Sequence, residues 1–354
     1  MRFLISDSPQ KGFLRVGFPY EMTLGMRRLT NAPLQVFHPT ESDIKILCRH
    51  ETSTFIRQLS IADDDLGSMS LIGGEVGQIG GGKKIPADFV WPSGIAGDST
   101  GNIFISDEGN HTITHISPEG DLISRWGKFG NEQHEINRPA GIFLDSHDNV
   151  FLTDALNYSV KVFSKNGEFI KSWGVKGETS GKFNLPWGIC LDQNDDVFVT
   201  DWGNHRVQKF SSDGEFLMEF GSFGNMPGQF NYPSGVCVDR DADIYVSDWG
   251  NHRIQLFDRK GRFVEEFRGD ATLSKQARDY MMSNLVALRI RDETPIEPQK
   301  RLRWPTSSTI GPDGRLYICD YGSHRIQVYK KEIISLGENE IGDSLRSPSL
   351  YTQF

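Results

Sequence analysis

A sequence pattern recurs along the chain at a fixed interval of 47 residues, and this interval constrains the fold more than any other feature. Three residue types keep the interval at three positions of the pattern, which makes coincidence an implausible cause. The members are Pro92, Pro139, Pro186 and Pro233; Asp107, Asp154, Asp201 and Asp248; and Gly120, Gly167, Gly214 and Gly261. A fifth copy has Pro305 and Asp320, each 72 residues beyond its predecessor, so an insertion of 25 residues precedes it.

Each copy contains four short apolar or alternating segments, such as Val197–Thr200, separated by Gly, Asn and Asp. Segments of this kind are typical of antiparallel strands joined by tight turns. The 37 glycines do not follow a Gly-X-Y order, so they indicate many turns and exclude a collagen. A repeated unit of four strands predicts the blade of a β-propeller.

The segment between the second and third strands carries the most specific motif. Residues 201–206 read Asp-Trp-Gly-Asn-His-Arg, and residues 248–253 repeat these six letters. Weaker copies begin at Asp107, Asp154 and Asp320. These segments resemble the NHL repeat, a family named after such an Asn-His pair. The resemblance covers about residues 90–330 and implies a propeller fold, but it does not imply one particular activity.

The first ninety residues supply a sixth, degenerate unit. Pro33–Cys48 superposes on Pro139–Asp154, and Phe55–Ser60 and Ser68–Ile72 follow as its third and fourth strands. The last unit lacks a fourth strand after Ile326–Tyr329. Because Gly12–Gly17 resembles the outer strands of other units, we expect it to pair there and close the ring without an open edge.

The chain is therefore predicted to be an all-β, six-bladed, NHL-type β-propeller over residues 1–337, closed by its N-terminal strand, with a polar C-terminal tail over 338–354. Two segments could cover its ligand face. One is the glycine-rich Gly73–Gly82, and the other is the insertion over residues 270–303, which has helical apolar spacing from Leu273 to Leu288. The insertion is either a lid that admits an anionic ligand or a solvated loop on the rim. Its basic residues are Arg289, Arg291, Lys300, Arg301 and Arg303.

Charge and cysteine content limit the classes of partner. The formal net charge of −9 opposes the phosphate attraction on which nucleic-acid binding depends. No apolar run of about 18 residues is present, which argues against a membrane span. The four cysteines are far apart and lack CxxC spacing, so they predict neither a zinc site nor a disulfide framework. They favour a cytoplasmic protein with reduced cysteines, and the oligomeric state stays open.

The strand directions of a propeller predict that the motif turns and the loops before each proline surround one mouth of the channel. At these positions the chain has large rings on one part of the mouth and charged groups on another. The predicted ligand-binding residues are Arg49, Trp91, Arg138, Trp187, Trp202, Tyr232, Trp249, Trp304 and Tyr321. Such an arrangement suits a ring-bearing or amphipathic ligand. The alternative is that the rings pack under neighbouring loops, as we expect for Phe89, Ile136, Phe183, Phe230 and Leu302.

The histidines of the motif have a different expected role. They recur at one repeat position, mostly beside an arginine, and are predicted to stabilise the turns rather than to catalyse a reaction; they are His111, His205, His252 and His324.

Resemblance to related propellers leaves two functions open. The amidating lyase of this architecture holds zinc through histidines directly after the repeat prolines, whereas these positions are Leu34, Ser93, Ala140, Trp187, Ser234 and Thr306. Propeller lactonases hold calcium through carboxylates and amides, and only Glu108 corresponds here. No metal or other cofactor is therefore predicted. The first expectation is a propeller that binds a small molecule or peptide. The alternative is a lyase or hydrolase, metal-independent or weakly metal-dependent, with Glu108 as acid/base, which resembles strictosidine-synthase-like propellers.

Overall fold

The computed structural model describes residues 13–51, 53–72, 83–284, 297–336 and 350–352. Six sheets form blades around a central channel, and the first strands of neighbouring blades contact one another in a closed ring. Each blade has four antiparallel strands in order from the channel outward, and blade one has a short fifth strand that pairs in parallel. The six-bladed propeller predicted by the repeat is confirmed.

The strand bounds follow the repeat closely. Blade one contains β3 (Pro33–Phe37), β4 (Asp43–His50), β5 (Ser53–Ser60), β6 (Asp65–Ile72) and β7 (Lys83–Lys84). Blade two contains β8 (Pro92–Gly97), β9 (Ile103–Asp107), β10 (Thr112–Ile116) and β11 (Leu122–Trp126). Blade three contains β12 (Pro139–Leu144), β13 (Val150–Asp154), β14 (Ser159–Phe163) and β15 (Phe169–Trp173).

The last three blades have the same layout. Blade four contains β16 (Pro186–Leu191), β17 (Val197–Asp201), β18 (Arg206–Phe210) and β19 (Phe216–Phe220). Blade five contains β20 (Pro233–Val238), β21 (Ile244–Asp248), β22 (Arg253–Phe257) and β23 (Phe263–Phe267). Blade six contains β24 (Pro305–Ile310), β25 (Arg315–Asp320), β26 (Arg325–Lys330) and, from the N-terminal region, β2 (Tyr20–Leu24). A single 3-10 turn follows the second strand in blades three to six, at Ala155–Asn157, Trp202–Asn204, Trp249–Asn251 and Tyr321–Ser323.

A glycine two residues after the repeat proline lets the innermost strands approach closely around the channel. A Cβ atom on Gly141 would lie 2.4 Å from the carbonyl oxygen of Trp187, and one on Gly188 would lie 2.6 Å from that of Ser234. Any side chain at these positions would push adjacent blades apart. Blades one and six, which meet at the closure of the ring, carry Gln35 and Ser307 instead.

The core consists of apolar clusters that lie between adjacent blades. Phe104 of blade two packs with Ile142 of blade three, and Val162 of blade three packs with Val199 of blade four. Because each blade is covered on both faces, the second strands of blades two to five are buried at every position, as in β17. This explains why the second strands read as continuous apolar runs rather than as alternating ones.

The N-terminal region closes the ring, but the predicted strand is wrong. The segment that completes blade six is β2, in which Leu24 lies opposite Ile326 of β26. The predicted closing segment instead contributes β1 (Phe13–Gly17) to a separate sheet with β27 (Glu332–Leu336) and β28 (Leu350–Thr352). The reason is burial, because Leu24 is fully buried in the cluster between blades six and one. Gly12 lies outside the described residues.

The insertion begins beside the closure of the ring. Helix α1 (Lys275–Met282) is capped by Ser274, whose Oγ accepts a hydrogen bond from the Ala277 amide at 3.0 Å, and the Gln276 amide donates to Asp63 of blade one at 2.9 Å. A second short helix, α2, spans Glu297–Lys300. Residues 285–296 and the glycine-rich 73–82 lie outside the described residues, whereas β28 falls in the predicted polar tail. No helix in the described part is long and apolar enough to span a bilayer.

Closure by β2 makes Leu24 a sensitive position. We expect Leu24→Ala to lower the free energy of unfolding by about 2–5 kcal/mol, because the substitution leaves a cavity between blades six and one. The matched control Leu122→Ala, on an outer strand with the residue 41% exposed, should change it by less than about 0.5 kcal/mol. Urea denaturation of both variants gives the comparison, and equal small effects would contradict closure through β2.

Candidate functional site

One mouth of the channel contains a cavity of about 470 Å³, here called the mouth cavity. Turns that follow the second strands and residues around the repeat prolines line it together, as the strand directions predict. Its aromatic lining consists of Trp187, Trp202, Trp249 and Tyr321. Its polar side chains are Gln35, Arg49, Ser93, Arg138, Ser234, Thr306, Ser307 and Ser308.

A buried aspartate at the end of each second strand from blade two onward, here called the repeat aspartate, fixes the loop before the proline. In blade four, Asp201 Oδ1 accepts from the Asn184 amide at 2.7 Å. Its Oδ2 accepts from Asn204 Nδ2 at 2.8 Å, Arg206 Nε at 2.9 Å and Gln208 Nε2 at 3.0 Å. Burial raises the pKa of Asp201, although the hydrogen bonds from Asn184, Asn204 and Arg206 oppose the shift. The repeat aspartate is therefore structural and ties the motif to the mouth.

The arginine of the motif extends the same network to the loop. Arg206 donates to the carbonyl oxygens of Thr179 and Lys182 at 3.1 and 2.8 Å, and its Nη1 pairs with Glu219 at 2.8 Å. Arg253 makes the equivalent contacts in blade five. Together with the repeat aspartate, these contacts fix the loop before the proline.

The motif histidines reach into the next blade, a role that the sequence reading missed. His205 Nδ1 accepts a hydrogen bond from the Tyr232 amide at 3.1 Å, and His252 Nδ1 accepts from the Trp304 amide at 3.0 Å. Both acceptors hold a residue with left-handed backbone, with φ of 59° at Tyr232 and 52° at Trp304. The constant separation of 27 residues, from His111 to Arg138 and from His205 to Tyr232, was the available signal.

The aromatic side chains at the mouth form two rows: a lining row that borders the cavity and a supporting row, Tyr232 and Trp304, behind it. Trp202 stacks on Tyr232 with ring centroids 4.1 Å apart and lies 6.4 Å from Trp187. Trp249 stacks on Trp304 at 6.5 Å. Tyr232 and Trp304 do not line the mouth cavity; they support the rings that do. The structure thus gathers six predicted aromatic residues, but in lining and supporting positions.

The charged residues lie together on the other side of the mouth. Arg138 pairs with Oε2 of Glu108 through Nε at 3.0 Å and also through Nη2. Arg49 Nη1 lies 3.9 Å from Glu108 Oε1, and its guanidinium lies over the Trp91 ring at 4.4 Å. Trp91 therefore supports Arg49 and does not line the cavity. Burial lowers the pKa of Arg49, and the Glu108 carboxylate opposes that shift.

Glu108 lies beneath these arginines and does not line the mouth cavity, since its side chain is only 2% exposed. Its Oε1 has no hydrogen-bond partner among the described residues. The sequence reading missed Gln35, Ser307 and Ser308, although the first two stand where four other blades have glycine. This departure from the repeat was the signal for a polar lining.

Two further observations concern alternative sites. The described residues contain no cluster of three or more His, Cys, Asp or Glu that could hold a metal ion. The opposite mouth has a cavity of about 520 Å³, whose described lining includes Phe37, His38 and Phe143 but no Trp or Tyr. The Trp and Tyr side chains are thus concentrated at one mouth.

Comparison with known proteins places this geometry in context. The NHL repeat pattern matches residues 183–210, 230–257 and 302–329, which cover the loop and first three strands of blades four to six. No curated protein matches the chain in sequence. The fold itself recurs in solved structures whose sequences are distant from this one.

Three such structures illustrate the likeness. A streptogramin B lyase is 13% identical, with 90% of this chain and 98% of that chain covered and a TM-score of 0.55. A catalytically inactive virginiamycin B lyase from Staphylococcus aureus with quinupristin is 14% identical, with 93% and 87% covered and a TM-score of 0.53. A protein of unknown function from Bacteroides thetaiotaomicron is 16% identical, with 90% and 76% covered and a TM-score of 0.58. At these identities the likeness shows the fold alone.

The histidine contacts predict a loss of stability in acid. Burial lowers the pKa of His111, His205 and His324 from 6.5 and lowers that of His38 to about 4. At these histidines the unfolded chain therefore binds more protons than the folded chain below about pH 6.5, so their contribution to the free energy of unfolding should fall from there to about pH 4. Urea denaturation at a series of pH values measures this dependence.

His205→Asn should weaken that dependence, because asparagine tolerates the left-handed backbone at this position, with φ of 56°, and does not titrate. His134→Asn, at an exposed histidine, is the matched control and should keep the wild-type dependence. Identical pH profiles for wild type and His205→Asn would show that the contact to Tyr232 does not contribute.

Proposed function

We propose that this six-bladed NHL-repeat propeller binds a small-molecule or peptide ligand that carries a flat ring, at the aromatic mouth of its channel. The observation that carries the proposal is the convergence of four aromatic side chains on one cavity of about 470 Å³. That size lies within the range of small-molecule sites, and aromatic lining with a few polar groups is their usual composition.

The rings are held in place before any ligand arrives. Trp202 lies between Trp187 and Tyr232, and Tyr232 is itself fixed by the hydrogen bond from its amide to His205. A ring that is already ordered loses little conformational entropy on binding. The supporting row of Tyr232 and Trp304 therefore favours a binding role for the lining row over simple loop packing.

The alternative of a lyase or hydrolase that uses Glu108 as acid/base has weaker support. A general acid or base must come within hydrogen-bond reach of the substrate proton. Glu108 is buried beneath Arg138, which donates two hydrogen bonds to its Oε2 atom, and it does not border the cavity. We therefore propose that Glu108 positions the arginines.

The net charge and the cysteines support our proposals for the class of partner and for the cellular compartment. A net charge of −9 disfavours nucleic acid as the partner. The four cysteines are free and buried in the core, which fits the cytoplasmic location that we propose.

Removal of two lining rings should abolish binding without loss of the fold. We expect the double variant Trp202→Ala with Trp249→Ala to weaken binding by about tenfold or more for each ring, because stacking area and ring contacts are lost. Isothermal titration calorimetry with a panel of indole- and phenyl-bearing carboxylates, amides and dipeptides measures the affinity.

Phe216→Ala, which removes a ring on an outer strand away from the mouth, is the matched control and should bind as the wild type does. Circular dichroism of each variant reports whether the fold is kept. Equal affinities for the double variant and the wild type, or no binding across the panel, would contradict the proposed function.

A further inference from the structure

Among the described residues that line the mouth cavity, only Arg49 and Arg138 carry a formal charge, and they are here called the arginine pair. Both approach the carboxylate of Glu108 from the mouth. The chain as a whole has a net charge of −9, so a cavity whose charged lining residues are all positive differs from the charge balance of the rest of the chain. The proposed ring-binding role does not by itself explain this feature.

Both arginines are anchored by hydrogen bonds, and each guanidinium group keeps a donor nitrogen that no described acceptor uses. Arg49 is 15% exposed; its Nη1 donates to the Pro92 carbonyl oxygen at 2.9 Å. Arg138 is 47% exposed, and its backbone is fixed by the hydrogen bond from its amide to His111. The described residues offer no acceptor to Nη2 of Arg49 or to Nη1 of Arg138. Each guanidinium therefore keeps an unused donor in a fixed position.

The arginine pair presents its positive charge to the cavity, whereas the neighbouring carboxylates do not border it. The carboxylates of Glu108 and Asp107 both act on Arg49, but neither residue lines the mouth cavity. An anion in the cavity would therefore meet the free guanidinium donors first. Burial of Arg49 strengthens that interaction because the local dielectric constant is low.

Three hydroxyl groups around the cavity are already engaged. Ser93 Oγ donates to the Pro139 carbonyl oxygen at 2.8 Å, Ser234 Oγ to that of Pro305 at 3.1 Å, and Thr306 Oγ1 to that of Leu34 at 2.9 Å. These bonds join adjacent inner strands. Among the described lining residues, the arginine pair is thus the source of positively charged hydrogen-bond donors at the mouth.

We infer that the arginine pair forms the anion-binding end of the mouth cavity, and that the ligand is a ring-bearing organic carboxylate whose ring lies among the tryptophans. The inference rests on the proposed function. Guanidinium groups match the planar geometry of a carboxylate and bind it through charge-assisted hydrogen bonds. Glu108 then acts as a positioning residue that orients Arg138 and limits the positive charge of the pair.

A matched pair of probes, indole-3-acetate and indole-3-acetamide, tests the inference in isothermal titration calorimetry. They share a ring and differ in the charge of the terminal group. We expect the wild-type protein to bind the carboxylate about tenfold or more tightly than the amide, because charge-assisted hydrogen bonds replace neutral ones. Arg138→Met should weaken binding of the carboxylate much more than binding of the amide, so the preference for the carboxylate should shrink.

Two control variants sharpen the test. Arg262→Met removes the same charge at an exposed site beside Asp258 and should keep the preference for the carboxylate. Glu108→Gln should strengthen carboxylate binding several-fold and change amide binding much less, since it removes a competing negative charge but keeps a side-chain oxygen for Arg138. A purely structural role of Glu108 would not separate the two probes.

The outcomes distinguish the inference from the function on which it rests. If the wild type binds both probes equally, the anion-binding inference is wrong and the ring-binding function stands. If it binds neither probe nor any member of the wider panel, both are wrong. If Arg138→Met fails to fold because Glu108 loses its partner, Arg138→Met with Glu108→Gln leaves no unpaired carboxylate, and a preference in that double variant as large as that of Glu108→Gln alone overturns the inference.

Discussion

The hydrogen bonds of the buried repeat aspartate determine the rest of this structure. A carboxylate in an apolar interior is stable only when its oxygens are fully supplied with donors, and in blades two to six the donors come from the loop before the proline and from the motif itself. Asp248 repeats the arrangement of Asp201 almost atom for atom, with Asn231, Asn251, Arg253 and Gln255 as donors. Blade one has Cys48 at this position, and there Arg57 Nε donates to the Leu29 carbonyl oxygen in the loop before the proline at 3.1 Å. The degenerate blade thus fixes this loop without a repeat aspartate.

A loop fixed in this way leaves its neighbouring side chains free to vary. The residue after the repeat aspartate lies near the mouth and varies between blades, so one backbone position carries Glu108, Ala155, Trp202, Trp249 and Tyr321 in successive blades. The residue before the proline varies similarly, with its amide held by a histidine in four blades. Ligand specificity in such a ring therefore depends on positions that the fold does not constrain. For this reason the family resemblance indicates the architecture and not the ligand.

This separation between positions that the fold requires and positions that vary also explains how much of the structure could be predicted from the sequence. The repeat interval predicts six blades, and comparison of equivalent positions predicts that Trp187, Trp202, Trp249, Tyr321, Arg49 and Arg138 meet at one mouth. The closing strand was misassigned because two N-terminal segments have strand-like alternation, and only the burial of Leu24 distinguishes them. The sequestration of Glu108 could not be predicted either, since it depends on the conformation of Arg138, a side chain from the next blade.

The distribution of charge explains how an acidic protein can present an attractive site for an anion. A net charge of −9 repels anions at long range, but salt in solution screens exposed charges beyond about 10 Å. Close to the mouth, the partly buried arginine pair is screened less, and its field acts over the few ångströms where hydrogen bonds form. Selection of the ligand then depends on contacts inside the cavity and not on steering from a distance. The aromatic rings on the other side of the mouth also act only at short range, because stacking requires contact. Both sides of the mouth therefore select between ligands only after the ligand has entered the cavity.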